Sequence, residues 1–166
     1  MKAPMTATFR ISEDDYLAAM KLYARLTPLR LVLVAAIGVL LALAAAFGPP
    51  LVQAGSVGGL VGGGSVLLGT RFIVLPLMAR RHYRKYKAIQ EEFNAEVLDH
   101  GLRLTLPNTD HTIVWQNVLK WRHDERFVLL YPMPRLFHIV PKALAAQGFD
   151  LKGLLERLNR HVGPPV

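Results

Sequence analysis

The sequence predicts an α+β membrane protein: a two-helix transmembrane hairpin joined to a small antiparallel β domain that closes with a C-terminal helix. Three observations carry this. Residues 31–70 contain no Asp, Glu, Lys or Arg, enough chain for two spans of about 20 residues each. Basic residues bracket that stretch on both sides. From Glu91 onward the pattern changes to short apolar runs separated by turn residues and ends in a run with helical apolar spacing.

The placement of charge decides what the basic excess means. The 166 residues are 52% hydrophobic and 19% charged, with net charge +8 and mean hydropathy +0.27. Residues 1–30 carry five basic and three acidic side chains, 71–90 six basic and none acidic, and 91–166 nine of each. The excess flanks the uncharged stretch, as the positive-inside rule describes, rather than lining a groove for nucleic acid, so no nucleic-acid partner is expected. The chain has no cysteine, which removes disulfides, Cys-containing zinc sites, iron–sulfur clusters and thiol nucleophiles together.

Residues 1–28 read as a cytoplasmic N-terminal segment. Thr6 to Ile11 alternates weakly, as a short strand would. Ser12 is placed as a helix N-cap with Glu13, Asp14 and Asp15 in the first turn, leading into Tyr16 to Tyr23. Leu17 and Met20, with Tyr16 or Tyr23, give this helix an apolar face to lay on the membrane interface or on the C-terminal domain.

The hairpin occupies residues 29–78, with spans at about 29–47 and 51–78. The consecutive prolines of Phe47-Gly48-Pro49-Pro50 end the first helix. The far end of the second span is open. Arg71 is followed by the apolar run Phe72 to Met78, and if the span includes that run Arg71 must snorkel to the headgroups. Pro76 predicts a break or kink nearby. Lys21, Arg25 and Arg30 precede the hairpin, basic residues follow it and its turn has none, so both termini are expected in the cytoplasm. Ala44-Ala45-Ala46 fits a signal-peptide cleavage site, but a 28-residue leader containing three acids argues against cleavage.

Small residues recur at every fourth position: Gly38, Ala42 and Ala46 in the first span, Gly55, Gly59 and Gly63 in the second. Such stripes let helices approach closely, either within one hairpin or across a homodimer. Neither span holds an acid, His or Lys, so a pore or ion pathway is not expected.

Residues 79–90 form a basic juxtamembrane segment. Arg80, Arg81, Arg84, Lys85 and Lys87 alternate with aromatics, which suits contact with anionic lipid headgroups. The simpler reading makes them topology determinants, with Tyr83 and Tyr86 in the interfacial aromatic belt. Residues 91–162 then supply about six strands: Phe93–Leu98, Leu102–Leu106, His111–Trp115, Val118–Arg122, Phe127–Tyr131 and Leu136–Val140, with a turn at 107–110. Helix-like sequence follows at about 141–147 and 150–161, with Leu151, Leu154, Leu155 and Leu158 on one face. Trp115 and Trp121 read as core or rim anchors of adjacent strands, and Pro141-Lys142 as the end of the last strand.

Little in this pattern points to catalysis. The histidines have no helical metal-ligand spacing and fall mostly at turns or strand starts. The only serines are Ser12, Ser56 and Ser65, which excludes a serine hydrolase in the β domain. The glycine-rich run 58–64 lacks the lysine of a phosphate loop. No catalytic residue, metal or cofactor is assigned.

The order of two spans, a basic junction, Ile113-Val114-Trp115-Gln116-Asn117-Val118, Phe127 to Tyr131 and Phe137 to Ala143 resembles the YcxB-like family of small bacterial membrane proteins. That resemblance implies a PH/GRAM-like β domain and a multi-pass location in the bacterial inner membrane. The expected function is a tether for a cytoplasmic module that binds a protein partner or an anionic lipid headgroup, in a regulatory or immunity role. A lipid-handling enzyme or transport accessory subunit and a purely structural homo-oligomer are the alternatives.

Overall fold

The computed structural model describes residues 6–166; the first five residues of the N-terminal segment lie outside them. Those described form an α+β fold with two antiparallel sheets and five α-helices, two of which belong to helical runs apolar enough to cross a membrane. They divide into two compact units. The β unit takes the residues up to Tyr23 together with Arg80–Val166, and the hairpin unit is Ala24–Ala79.

The hairpin unit contains α2 (Pro28–Phe47) and α3 (Pro50–Gly69), each 20 residues long. Each begins with proline in its first turn, where the missing N–H removes a donor that would be unpaired anyway. The Gly48 amide donates to the Ala44 carbonyl at 3.0 Å, and Pro49, with no amide to donate, stops the ladder. Beyond α3 a π-helical turn, Thr70–Val74, leads into α4 (Leu75–Lys85). The irregularity predicted near Pro76 is this turn. There the Leu75 amide reaches back five residues to the Thr70 carbonyl, widening the helix just before the proline ring.

Most of the large apolar side chains of α2 and α3 face outward with no protein over them, Leu29 69% exposed and Leu51 86%. The mutual contact face is carried by half-buried Leu41 and Ala45 on α2 and by Ser56, Leu60 and Gly64 on α3, of which Ser56 is buried. The predicted small-residue stripes lie beside this face. Gly38 is half-buried, and a Cβ on Gly59 would meet the Leu41 side chain at 3.6 Å. Ala42, Ala46, Gly55 and Gly63 are exposed, and a Cβ on Gly55 or Gly63 would meet nothing within 4 Å.

In the β unit, β1 (Ala7–Arg10), β2 (Glu92–Val97), β3 (Gly101–Leu106) and β4 (Thr109–Val114) form one sheet in that order. β5 (Lys120–His123), β6 (Phe127–Met133) and β7 (Leu136–Pro141) form the second. The six strands expected after Glu91 are all present. The N-terminal strand joins them as the edge partner of β2, with Phe9 opposite Phe93 and Arg10 opposite Glu92. Two boundaries move. Thr109 and Asp110 belong to β4, leaving Pro107-Asn108 as a two-residue turn; Asp110 crosses to Arg103, whose guanidinium lowers its carboxyl pKa. Trp115 sits not in a strand but in a 3-10 turn, Trp115–Asn117, with its indole N–H on the Asp99 carbonyl at 3.0 Å.

Strand register assigns the faces of the second sheet. Trp121, Val128, Leu130, His138 and Val140 share one side, while Arg122, Leu129, Tyr131 and Ile139 share the other. Phe127 to Tyr131 are all buried, so β6 is covered on both faces. Helix α1 (Glu13–Tyr23) covers the second of them. Its start is a capping box: the Asp15 amide donates to Ser12 Oγ at 3.1 Å and the Ser12 amide to the Asp15 carboxylate at 3.2 Å. The face it buries is Tyr16, Ala19 and Leu22, one step round from the predicted Leu17 and Met20, which are only half-buried. Buried Arg122 fixes its other end, donating from Nη1 to the Leu22 and Tyr23 carbonyls at 3.3 and 3.2 Å.

The C-terminal helix α5 (Leu151–His161) starts at Asp150, whose carboxylate accepts from the Gly153 amide at 2.9 Å. Leu154 and Leu158 are fully buried, and Leu151 and Leu155 half-buried, on the predicted face. Trp121 donates its indole N–H to the Gly163 carbonyl at 2.8 Å just beyond it. Pro141 ends β7 as expected. The Lys142 amide then bonds to the Arg126 carbonyl at 2.8 Å, and Lys142 opens a 3-10 turn that closes at Gly148, whose φ of +89° suits glycine.

Candidate functional site

The basic segment enters the β unit along the last turns of α4, and helical spacing sets what each cation meets. Arg80 and Arg84, four residues apart, share one carboxylate: Arg80 Nε lies 3.5 Å and Arg84 Nη2 3.4 Å from Glu13 Oε1. The acids at the start of α1 are therefore partners of the basic run as well as first-turn residues. Arg81 is exposed on the neighbouring face. The Lys85 ammonium lies 5.9 Å from the centre of the Tyr86 ring, which is itself 5.3 Å from His82.

Tyr83 departs from its expected membrane-belt role. Its hydroxyl donates to the Ile11 carbonyl at 2.9 Å, its ring lies 6.1 Å from Tyr16, and its own carbonyl accepts from Gln90 Nε2 at 2.7 Å. Half-buried in this way, it ties α4 to the strand–helix corner at Ile11. Tyr86 remains exposed.

These ties bring Arg10 beside the basic run. Arg10 Nε donates to the Gln90 carbonyl at 2.5 Å, and Arg10, Arg84 and Lys87 line an open groove of 620 Å³ with Gln90, Glu91 and Glu92. Of the five predicted headgroup contacts, Arg84 and Lys87 line this groove, while Arg80, Arg81 and Lys85 do not. Arg10 was not a candidate from sequence. The available signal was parity: buried Phe9 and Ile11 put Arg10 on the opposite side of the strand. Three cations in an open concavity can hold one phosphate or carboxylate group, with the two glutamates limiting how much negative charge enters.

The remaining motif residues serve the core. Trp115 and Trp121 are 2% and 3% exposed with both indole N–H groups bonded to carbonyls. Lys142 Nζ lies 3.2 Å from His123 Nδ1 at the unit's surface. His138 on β7 is half-buried 6.1 Å from His111 on β4, and burial first, then the neighbouring His111, lowers its pKa to about 4. Tyr131, stacked against Tyr23 at 6.0 Å, is pushed up to about 12 by burial. Among the described residues, no group of three or more His, Asp or Glu side chains is placed to hold a metal ion.

The fold thus defines a class: an apolar helical hairpin inserted after the first strand of a two-sheet, helix-closed β unit, with a basic groove where that strand meets the returning chain. The chain matches no family model, no curated protein and no solved structure.

Proposed function

We propose that the chain is a bacterial inner-membrane protein in which the hairpin tethers a PH/GRAM-like, YcxB-like module at the cytoplasmic face, and that the module binds an anionic headgroup in the groove of Arg10, Arg84 and Lys87. The pairing of β1 with β2 carries this reading. The hairpin leaves after β1 and returns before β2, and the two strands are hydrogen-bonded neighbours, so the chain must come back to the side from which it left. An even number of crossings fits this pairing on grounds independent of charge, and the basic flanks favour the cytoplasm as the shared side. Four strands facing three with a terminal helix is also the layout expected of a PH-like module.

Two experiments test it. The chain lacks cysteine, so Phe47→Cys, at a position 85% exposed beside the hairpin turn, gives a single reporter. An impermeant maleimide should label it in intact cells but reach Val166→Cys only after lysis; labelling of Val166→Cys in intact cells refutes the topology. For the groove, short-chain phosphatidylglycerol is titrated into the detergent-solubilised full chain. The pair Arg10→Gln and Lys87→Gln should weaken binding about tenfold or more, and unchanged binding removes the groove from the function.

A homodimer is the second reading, favoured by exposed Gly55 and Gly63 of the small-residue stripe, which lie outside the intrahairpin contact that Gly59 borders. A Cβ at Gly63 would meet nothing within 4 Å, which makes Gly63→Leu the test of the seam. It should abolish self-association, and an unchanged oligomer size counts against the seam.

A further inference from the structure

The β unit buries most of its apolar side chains but leaves a group of them bare at one end of its second sheet. Among its described residues the exposed large apolar ones are Leu119 (62%), Met133 (60%), Leu136 (49%), Tyr86 and Val166, and the first three lie together. Met133 pairs with Leu136 across Pro134-Arg135, the turn that joins β6 to β7. On the other flank of β6 the Leu119 amide donates to the Tyr131 carbonyl at 2.8 Å. The exposed apolar surface is therefore gathered at a hairpin tip rather than scattered singly over the unit.

Charge and connectivity say what such a tip meets. Neither residues 111–123 nor residues 126–149 contain an Asp or Glu, so the segments that build the tip carry cations alone. Exposed Arg135 sits in the turn itself, and Lys120, next to Leu119, holds its ammonium 5.2 Å from the centre of the Tyr131 ring. Tyr23 is the last residue of the β unit before the chain passes to the hairpin unit. Its ring stacks 5.2 Å from Phe137 and 6.0 Å from Tyr131, so the chain leaves the β unit beside this tip. From there Pro28, the first residue of α2, is reached in at most about 18 Å of extended backbone. Apolar side chains flanked by cations, this close along the chain to a membrane span, complement the boundary between acyl chains and anionic headgroups.

We propose that the β6–β7 tip is a second membrane contact: Met133, Pro134 and Leu136, with Leu119 beside them, enter the interfacial layer of the bilayer while Lys120 and Arg135 meet its anionic headgroups. The inference rests on the membrane-spanning reading of the hairpin but not on the groove of Arg10, Arg84 and Lys87. The tip would hold the β unit in one orientation against the surface and so decide which of its faces is left open to the aqueous phase.

Depth-dependent quenching tests this in the full chain, reconstituted into vesicles of phosphatidylglycerol and phosphatidylcholine. Because the chain has no cysteine, Met133→Cys, Glu125→Cys and Leu40→Cys each accept one environment-sensitive fluorophore. Glu125 is exposed in the turn before β6, at the opposite end of that strand from Met133, and Leu40 is 65% exposed midway along α2. The Met133 probe should be quenched by a nitroxide near the carbonyl end of the acyl chain and less by one near its methyl end, the Glu125 probe by neither, and the Leu40 probe most by the deeper one. In vesicles of phosphatidylcholine alone the Met133 quenching should fall about twofold or more; equal quenching in the two lipids would remove Lys120 and Arg135 from the contact. A quenched Leu40 probe with an unquenched Met133 probe overturns the tip alone, and a blue-shifted Met133 emission without quenching would show that a protein or a second copy covers it instead. Equal quenching at Glu125 and Met133 would mean that the unit has no fixed orientation and overturns it too. An unquenched Leu40 probe refutes the membrane reading and the tip with it.

Discussion

His138 lies among the inner-face residues of β7, 6.1 Å from His111 across the two sheets, and its pKa is held near 4 against about 6.5 for an unfolded histidine. The folded β unit therefore favours the neutral ring. The resulting stability is fully present above pH 6.5 and is lost as the pH falls from there through 4. Between pH 7 and pH 4 the difference integrates to about 3 kcal/mol. For a unit of about 100 residues that corresponds to a drop in Tm of about 12–20 °C. Trp115 and Trp121, the only tryptophans, are both buried in this unit, so intrinsic fluorescence follows its unfolding without a signal from the hairpin. Carboxylates titrate over the same range, so the decisive quantity is the difference between the wild type and His138→Phe. The variant should lose less Tm by about that amount on going from pH 7 to pH 4. Parallel pH profiles for the two proteins would show that His138 is not held neutral by burial.

Two further substitutions probe the cover of the second sheet. Arg122→Met removes the guanidinium donors from the Leu22 and Tyr23 carbonyls and should cost about 1–3 kcal/mol in the fluorescence melt while exposing residues 12–23 to proteolysis; unchanged protection would show that α1 is held by its apolar face alone. Among the described residues the buried Tyr131 hydroxyl has no hydrogen-bond partner, so Tyr131→Phe should be neutral or stabilising by about 1 kcal/mol. A loss of more than 1 kcal/mol would mean the hydroxyl is satisfied.

Much of the architecture could be read from local pattern. Proline pairs, the charge-free stretch and the alternation of Leu102, Leu104 and Leu106 act within a few residues of chain, and each marks an element that the structure contains. The features missed depend on partners distant in sequence. The weak strand at Thr6–Ile11 gains its meaning from Phe93 and Asn94, and Arg10 becomes part of a groove only once that pairing forms. Tyr83 looked like a membrane-belt residue because its neighbours are basic, but its hydroxyl is used by Ile11, far away in the chain. The buried face of α1 was misplaced by one step because the short helix offers two overlapping apolar stripes, and the position of Arg122 selects between them. The small residues of the hairpin were legible as a periodicity, but their direction depends on helix rotation, which Ser56 and Leu41 reveal and the spacing does not.

The strand that opens the chain has a kinetic consequence as well. Thr8 and Asn94, bonded side chain to side chain, are 86 residues apart, and everything between them must be made and placed before β1 can dock. Closing so long a loop costs more entropy than closing the short turns that join β2 to β3 and β3 to β4. During synthesis β2 waits with an open edge, and an open edge invites pairing with other chains. A hairpin that has entered the bilayer as a pair of helices shortens the search by bringing its two ends to one surface. Chains whose hairpin stalls should then accumulate with β2 unpaired, making the first sheet a reporter of hairpin placement and its edge the place where failed molecules begin to aggregate.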